Sequence, residues 1–301
     1  MGDGMQIHGR WAVAALLALG VGSPATAGSS SAPMATNPLD VGRSTFVITT
    51  RSGNAVVHIG KSDSFVAGVL SPEANAEIRR FLGQRHAPPV RFVLAVDAPG
   101  AARYGDGGWG RAGAITIAQE RLRSQMTADM KPDASEAGAA LPILGFSNVQ
   151  QMYLSDGEVH AVYQLDGPRN ADVSVHLENA KVLFLGTLYT ADGYPDLTPD
   201  DGGSLDGLIK TIDYFSDAFA SEEGIHLVPG RGAVSTPNAL IEYSAMLRLV
   251  RDRLLGLIAA GRSDQEILAA APLSDLDVRW GHGPVSTTEF TALALRSLRK
   301  R

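Results

Sequence analysis

The sequence predicts an α/β fold in which helices lie outside two packed β-sheets. Hydrophobic residues make up 45% of the 301-residue chain and charged residues 19%, which is typical of a folded core and excludes wholesale disorder. Short strand-like runs occur in both halves of the chain, and amphipathic helices follow them in each half. Two halves of this kind favour a sandwich with its helices on the outside.

In the first half, residues 44–69 contain three strand patterns, TFVITT, NAVVHIG and SFVAGVL, separated by turn residues. Ser71 as an N-cap, followed by Pro72 at the first helical position, predicts a helix that ends near Arg85. The next predicted elements are a buried strand, a second strand and a helix, at residues 90–96, 114–117 and 119–126.

In the second half, four further strands are predicted before the chain becomes mainly helical. They cover residues 149–154, 159–165, 171–177 and 181–185. A short strand is expected at residues 225–228. Helices are expected at residues 204–219, 238–260 and 287–299, and Ser263 with Glu266 forms a capping box for one more.

The composition excludes several classes of function. The chain has 26 basic and 32 acidic residues, a net charge of -6, so a general nucleic-acid binder is disfavoured. It has no cysteine, which excludes disulfides, thiolate metal sites and a cysteine nucleophile. The glycines of residues 100–110 lack the spacing of a phosphate-binding loop, and no serine lies in a G-x-S-x-G elbow.

The amino-terminal segment has the pattern of a secretory signal peptide. Arg10 precedes an apolar run at residues 11–21, and Ala25-Thr26-Ala27 forms a small-x-small cleavage site. The run is about half of the ~20 residues that span a bilayer, so no retained anchor is expected. We therefore predict a signal peptide at residues 1–27, a flexible arm at 28–42 and a single domain at 43–301, in a protein that is periplasmic or secreted.

Several segments resemble the metallo-β-lactamase superfamily, in particular its exported, hydrolase-like members. Residues 181–207, KVLFLGTLYTADGYPDLTPDDGGSLDG, are similar to a family strand followed by a Gly-Gly-Ser-x-Asp-Gly segment. HLVPGRG at residues 226–232 is similar to the family's Val-Pro-Gly-His-Gly turn. The tail at residues 238–280 also resembles these members, and residues 90–123 fit the strand, loop, strand and helix that carry the first metal motif.

This resemblance implies a four-layer αβ/βα sandwich with additional carboxyl-terminal helices. It also implies a zinc pair, which in the family activates a bridging water and polarises the scissile carbonyl. The ligands there are a His-x-His-x-Asp-His loop, a later His, a bridging Asp and a last His. Imidazoles and carboxylates hold zinc at ~2.0–2.2 Å, and alanine or proline cannot replace them.

The family's ligand positions are substituted in this chain. The first loop would place Asp97, Pro99, Ala101 and Ala102 at its four positions. The remaining three positions would carry Pro168 (Asn170 if the register shifts by two residues), Thr187 and Arg231. Only the acidic Asp97 matches the ligand chemistry, and a zinc site needs at least three protein ligands. We therefore expect a degenerate member with no metal, no cofactor and no zinc-dependent catalytic residue.

The remaining histidines offer no substitute, since none forms an H-x-H or H-x-x-x-H pair. We interpret each as a hydrogen-bonded core or surface residue; they are His58, His86, His160, His176, His226 and His282.

A cation at the last ligand position suggests an ion pair inside the former metal cavity. We predict that Arg231 pairs with Asp97 or Asp172, since a guanidinium binds carboxylates bidentately. The alternative is that Arg231 reaches solvent and pairs with nothing. Arg103 and Arg169 would add to an electropositive cleft floor that binds a small anion or an acidic peptide, unless they are scattered surface arginines.

These observations favour an exported pseudoenzyme that binds a small anionic ligand or a protein partner, with neither nucleic acid nor a membrane anchor. The first alternative is a hydrolase, β-lactamase- or esterase-like, with an atypical metal site or a metal-free site. A second alternative is an oligomeric accessory subunit that uses the helix at residues 238–260 as its interface, although such apolar stripes usually face the protein's own core.

Overall fold

The computed structural model describes residues 38–68, 71–96, 108–128, 141–163 and 167–300. They all belong to one compact unit, Thr36–Arg301. The predicted signal peptide and most of the predicted arm lie outside the described residues. The last part of that arm, Leu39–Asp40, forms a short strand.

The first sheet contains seven strands in chain order, and β1 to β4 are antiparallel while β4 to β7 are parallel. The strands are β1 (Leu39–Asp40), β2 (Thr45–Thr50), β3 (Gly53–Ile59), β4 (Ser64–Gly68), β5 (Val90–Ala95), β6 (Ile115–Gln119) and β7 (Leu144–Phe146). The central strands β3 and β4 read as nearly continuous apolar runs because both of their faces are buried.

The second sheet contains five strands in the order β12-β11-β10-β9-β8. They are β8 (Val149–Leu154), β9 (Gly157–Tyr163), β10 (Val173–Leu177), β11 (Val182–Thr190) and β12 (His226–Arg231). Neighbouring strands are antiparallel except for β11 and β12, which are parallel. The carboxyl ends of these two strands therefore meet at the same edge of the sheet.

Eight α-helices connect or follow the strands in the described part of the chain. They are α1 (Pro72–Gln84), α2 (Gly108–Arg111), α3 (Glu120–Ala128), α4 (Leu205–Phe219), α5 (Ala239–Ala259), α6 (Asp264–Ala269), α7 (Asp277–Trp280) and α8 (Thr287–Arg299). Ser71, Ser204, Ser263 and Ser286 cap four of them, each accepting a backbone hydrogen bond at its hydroxyl. No helix within the described ranges is both long and apolar enough to cross a bilayer.

Three apolar clusters hold the layers together and confirm the predicted four-layer arrangement. The middle cluster joins the inner faces of the two sheets, with Phe65 and Leu94 from the first and Val175 and Phe184 from the second. A second cluster packs α1 and α3 on the outside of the first sheet. The third packs α4, α5 and α8 on the outside of the second sheet.

Most predicted elements are confirmed within a few residues, and four short ones were not predicted. These are β1, β7, α2 and α7, each two to four residues long. Segments of this length contain too few residues to show a helical or strand periodicity. β11 also continues to Thr190, beyond the predicted end at residue 185, with irregular register past Phe184.

A polar clamp joins the turn after β3 to the turn between β8 and β9, and so links the two sheets. One oxygen of the Asp63 carboxylate accepts hydrogen bonds from the Ser155 backbone N–H at 3.0 Å and the Ser155 hydroxyl at 2.7 Å. Arg91 contacts the other oxygen at 3.3 Å. Beside it, His58 Nε2 lies 3.0 Å from Asp156 Oδ1.

Burial of Asp63 alone would raise the pKa of its carboxyl group. The hydrogen bonds from Ser155 and the charge of Arg91 outweigh burial, so the pKa lies below its ordinary value. A carboxyl whose pKa is lower in the folded state stabilises the protein above its ordinary pKa, and this contribution is lost as the pH falls through the lowered value.

The substitution Asp63→Asn is expected to lower the free energy of unfolding by about 1–2 kcal/mol at pH 7, since it removes charge-assisted hydrogen bonds. The difference from wild type should shrink below about pH 4, where the unfolded-state carboxyl protonates. Urea unfolding at pH 7 and pH 3 measures both values. The exposed Asp217→Asn serves as a control, with an expected change under about 0.5 kcal/mol. An equal loss at both pH values would contradict this account of the clamp.

Candidate functional site

The candidate site lies at the carboxyl ends of β11 and β12, where the two parallel strands approach very closely. A side chain at Gly230 would place its Cβ 2.3 Å from the carbonyl oxygen of Gly186, so only glycine fits there. Gly186 itself has a φ of +50°, in the region that favours glycine. Beyond this contact Thr190 pairs with Arg231, and its neighbour Ala191 donates its N–H to the Arg231 carbonyl at 2.9 Å.

Asp172 precedes β10 and is 1% exposed. One oxygen of its carboxylate accepts the backbone N–H of Arg169 at 2.6 Å, and the other accepts the hydroxyl of Thr187. Gly167 packs directly against the same carboxylate, because a Cβ there would lie 2.1 Å from Asp172 Oδ2. The carboxylate is therefore enclosed by its own loop and by β11.

Arg169 lies at the rim of the site and forms an ion pair with Asp196 through its guanidinium. The loop that holds Arg169 is fixed by backbone contacts to the segment before α4. The N–H of Thr198 donates to the carbonyl of Pro168 at 2.9 Å, and the N–H of Ser204 donates to the carbonyl of Gly167 at 3.1 Å.

Among the described residues, Arg231 and Asp172 each have other partners and do not pair with each other, while Asp97, the other expected partner of Arg231, lies outside the described part of the chain. The guanidinium of Arg231 donates a hydrogen bond to the carbonyl oxygen of Arg51 at 2.9 Å. Among the described residues, Arg231 makes this one side-chain hydrogen bond and no ion pair. Asp172 instead binds groups that lie close to it along the chain or on β11, because a buried carboxylate is satisfied by the nearest donors.

Arg231 lines a cavity of about 270 Å³, which we call the Arg231 cavity. Its polar wall is formed by side chains from both strand ends and from the loop around Arg169, and its apolar wall lies near the start of α8. The lining residues are Ser52, Arg169, Thr187, Thr190, Tyr194, Asp196, Gly230, Arg231, Pro284, Val285 and Glu289. A neighbouring cavity of about 310 Å³ shares Arg169 and Thr187 and includes Asp172.

Tyr194 forms a rigid part of the wall. Its ring stacks on Phe290 with the ring centres 4.9 Å apart, and its hydroxyl donates to Asp277 Oδ1 at 3.0 Å. Burial, together with the hydrogen bond to Asp277, raises the pKa of the Tyr194 phenol above its ordinary value. The group is thus a neutral hydrogen-bond donor throughout the physiological pH range.

Five of the sequence-predicted site residues lie outside the described part of the chain. They are Asp97, Pro99, Ala101, Ala102 and Arg103. Of the others, the structure brings Arg169, Thr187 and Arg231 to the Arg231 cavity. It places Asp172 in the wall of the neighbouring cavity. Pro168 contributes its carbonyl oxygen to a loop contact with the N–H of Thr198.

The described residues at the family's ligand positions do not fit zinc. Proline has no side-chain donor atom, and a guanidinium is a permanent cation without a lone pair to donate. The hydroxyl of Thr187 is already hydrogen-bonded to Asp172. The three positions therefore offer neither an imidazole nor a carboxylate, which are the ligands that zinc takes in cysteine-free sites.

One group of metal-ligating side chains occurs elsewhere in the described residues, on the outer face of the second sheet. The ligand atoms of Glu158, His160 and Glu178 lie within 4.8 Å of one another. His160 Nε2 is 3.4 Å from Glu158 and 3.9 Å from Glu178, and Gln151 donates to Glu158 at 2.8 Å. The sequence predicts His160 only as a hydrogen-bonded core or surface residue. Spacing does not reveal the group, since Glu178 follows the neighbouring strand β10 and Glu158 lies two residues away on the same strand as His160.

Sequence reasoning also missed Tyr194, Asp196 and Glu289. Asp196 is part of the GYPDLTP segment that carried the family resemblance, but no spacing rule marks it as a site residue. Glu289 follows Ser286 by three residues, a pattern that predicts a capping role. The structure instead places its side chain in the wall of the Arg231 cavity.

The substitution Gly167→Ala is expected to lower the free energy of unfolding by about 1–3 kcal/mol, because the added methyl group overlaps the Asp172 carboxylate. The control is Gly83→Ala inside α1, where a Cβ meets no atom within 4 Å. This control should stabilise the protein by about 0.5–1 kcal/mol. Chemical denaturation of both variants measures the two changes, and a neutral Gly167→Ala would show that Asp172 is not held in this enclosure.

The described geometry is similar to that of solved metallo-β-lactamase-fold structures, although neither a protein-family profile nor a curated protein sequence matches the chain. A metallo-β-lactamase from Pontibacter korlensis aligns with a TM-score of 0.56 and 13% identity, covering 70% of this chain and 98% of that one. The inverting sec-alkylsulfatase Pisa1 from Pseudomonas sp. aligns with a TM-score of 0.63 and 14% identity, covering 87% of this chain and 50% of that one. The DIM-1 metallo-β-lactamase aligns with a TM-score of 0.55 and 14% identity over 71% of this chain and 97% of its own. The chain has the metallo-β-lactamase fold.

Proposed function

We propose that this chain is an exported binding protein that holds a small anion in the Arg231 cavity and does not hydrolyse substrates through zinc. The observation that carries the proposal is the position of Arg231 at the carboxyl end of β12. This guanidinium has five N–H donors and donates one hydrogen bond among the described residues, so several donors are available to a ligand. Export is supported by the signal-peptide pattern of residues 1–27.

The surroundings of Arg231 also favour an oxyanion. Thr190 and Ser52 line the same cavity, and residues of these types carry hydroxyls, which donate readily to oxyanions. Pro284 and Val285 contribute an apolar wall. A pocket with a few polar groups and an apolar wall is the usual form of a small-molecule site.

The second candidate function is hydrolysis by an atypical site, and the similar structures provide the specific reason to keep it. Their names describe lactamases and an alkylsulfatase, which are hydrolases. Fold does not determine function, and this chain lacks the family's metal ligands at every compared position except Asp97. Turnover of a β-lactam or a sulfate ester by purified protein, retained after chelation, would support this candidate.

The substitution Arg231→Gln tests the binding proposal. Sulfate and acetate are suitable probes, since one is tetrahedral and the other planar. We expect wild-type protein to bind at least one of them, and Arg231→Gln to weaken that binding about tenfold or more, because hydrogen bonds to charged groups contribute about 1.5–3 kcal/mol. Isothermal titration calorimetry measures the dissociation constants.

Two further variants separate hydrogen-bond geometry from net charge. Arg262→Gln removes the same charge from a side chain that is 59% exposed and does not line the cavity, and should bind as wild type does. Arg231→Lys retains the charge without the planar fork and should be intermediate. Unchanged affinity in Arg231→Gln, or an equal loss in Arg262→Gln, would contradict the proposal.

A further inference from the structure

Two of the charged side chains around the Arg231 cavity have no ion-pair partner among the described residues. Four charged side chains line it, namely Arg169, Asp196, Arg231 and Glu289. Arg169 and Asp196 form an ion pair with each other. The other two, one cation and one anion, share the cavity wall without lying within 4 Å of each other.

Glu289 lies three residues after the N-cap Ser286, where its carboxylate would be expected to accept the Ser286 N–H and complete a capping box. The carboxylate does not make this bond. In α6 the equivalent residue closes a capping box, because Glu266 accepts the Ser263 N–H at 2.8 Å. In α8 the Ser286 hydroxyl accepts the Glu289 N–H at 3.3 Å, but the return bond is not made. Among the described residues, the Glu289 carboxylate has neither a hydrogen-bond donor nor an ion-pair partner.

An unpaired cation and an unpaired anion in one small cavity are complementary to a molecule that carries both charges. We infer that the Arg231 cavity is selective for a small zwitterion, with the ligand's carboxylate on Arg231 and its ammonium group on Glu289. This inference rests on the proposed anion-binding function and adds the ligand class.

The walls and volume of the cavity limit the size of this zwitterion. Pro284 and Val285 provide apolar surface beside the charged groups. A volume of about 270 Å³ is slightly below the range of drug-sized pockets, which begins near 300 Å³. The ligand class is therefore a single amino acid or an ω-amino acid of similar length, with a short apolar chain between its charges.

Matched pairs of probes isolate the contribution of the ammonium group. Glycine, β-alanine and γ-aminobutyrate are compared with acetate, propionate and butyrate, so that each pair differs mainly in the ammonium group. In wild-type protein, at one chain length at least, the amino acid should bind roughly two- to fivefold more tightly than its carboxylate, as expected for an ion pair in an open cavity. Titration calorimetry at low ionic strength measures each ratio.

Glu289→Gln is the variant that decides between the explanations. It should abolish the preference for amino acids, and it should not weaken the binding of the plain carboxylates, because it removes a negative charge from the cavity that holds them. Glu223→Gln, an exposed side chain that does not line the cavity, should retain the preference. Circular dichroism confirms that each variant is folded.

The outcomes distinguish this inference from the function on which it rests. If carboxylates bind and depend on Arg231 but amino acids show no preference at any length, the zwitterion inference is wrong and the anion site remains. A preference that persists in Glu289→Gln also overturns the inference. If no carboxylate, amino acid or sulfate binds, the proposed function itself fails.

Discussion

The close contact between the ends of β11 and β12 determines what this cleft presents to a ligand. Gly230 lies so near the carbonyl of Gly186 that no side chain fits between the strands. The next residue, Arg231, is therefore held at a fixed position at the strand end. Open α/β sheets commonly bind ligands beyond the carboxyl ends of their strands, and here that position carries a permanent cation.

A guanidinium at this position is chemically suited to binding an anion and not to ligating a metal ion. It has no lone pair to offer a metal ion, and its charge repels a dication. It does offer planar N–H donors to carboxylates and other oxyanions. The side chain of Thr187 also has a role other than metal ligation, because its hydroxyl donates a hydrogen bond to the buried carboxylate of Asp172.

Much of the fold could be predicted because the pattern of apolar and polar residues along the chain indicates which positions are buried. β3 and β4 are nearly continuous apolar runs, and the serine N-caps of α1, α4 and α6 mark the start of each helix. β7 could not be predicted, since three residues with a central glycine carry no periodic signal.

The site was only partly predictable, because sequence register gives the position of a residue along the chain but not its nearest neighbours. Arg169, Thr187 and Arg231 were expected to lie near one cleft, and in the structure they line one cavity. Their partners depend on loop geometry. Arg231 contacts the carbonyl of Arg51 from the β2–β3 turn, and Glu289 leaves its capping position for the cavity. The first contact joins residues 180 positions apart. The second departs from the capping-box pattern of Ser286 and Glu289, so sequence spacing alone reveals neither.

We propose that this cleft does not hold a divalent cation. Anomalous X-ray diffraction at the zinc absorption edge, from crystals of the intact protein soaked in zinc, is the decisive measurement. We expect no anomalous peak among Pro168, Thr187 and Arg231, whatever signal arises at the separate Glu158 group on the outer face. A well-occupied peak in the cleft, coordinated by three or more side chains, would contradict it.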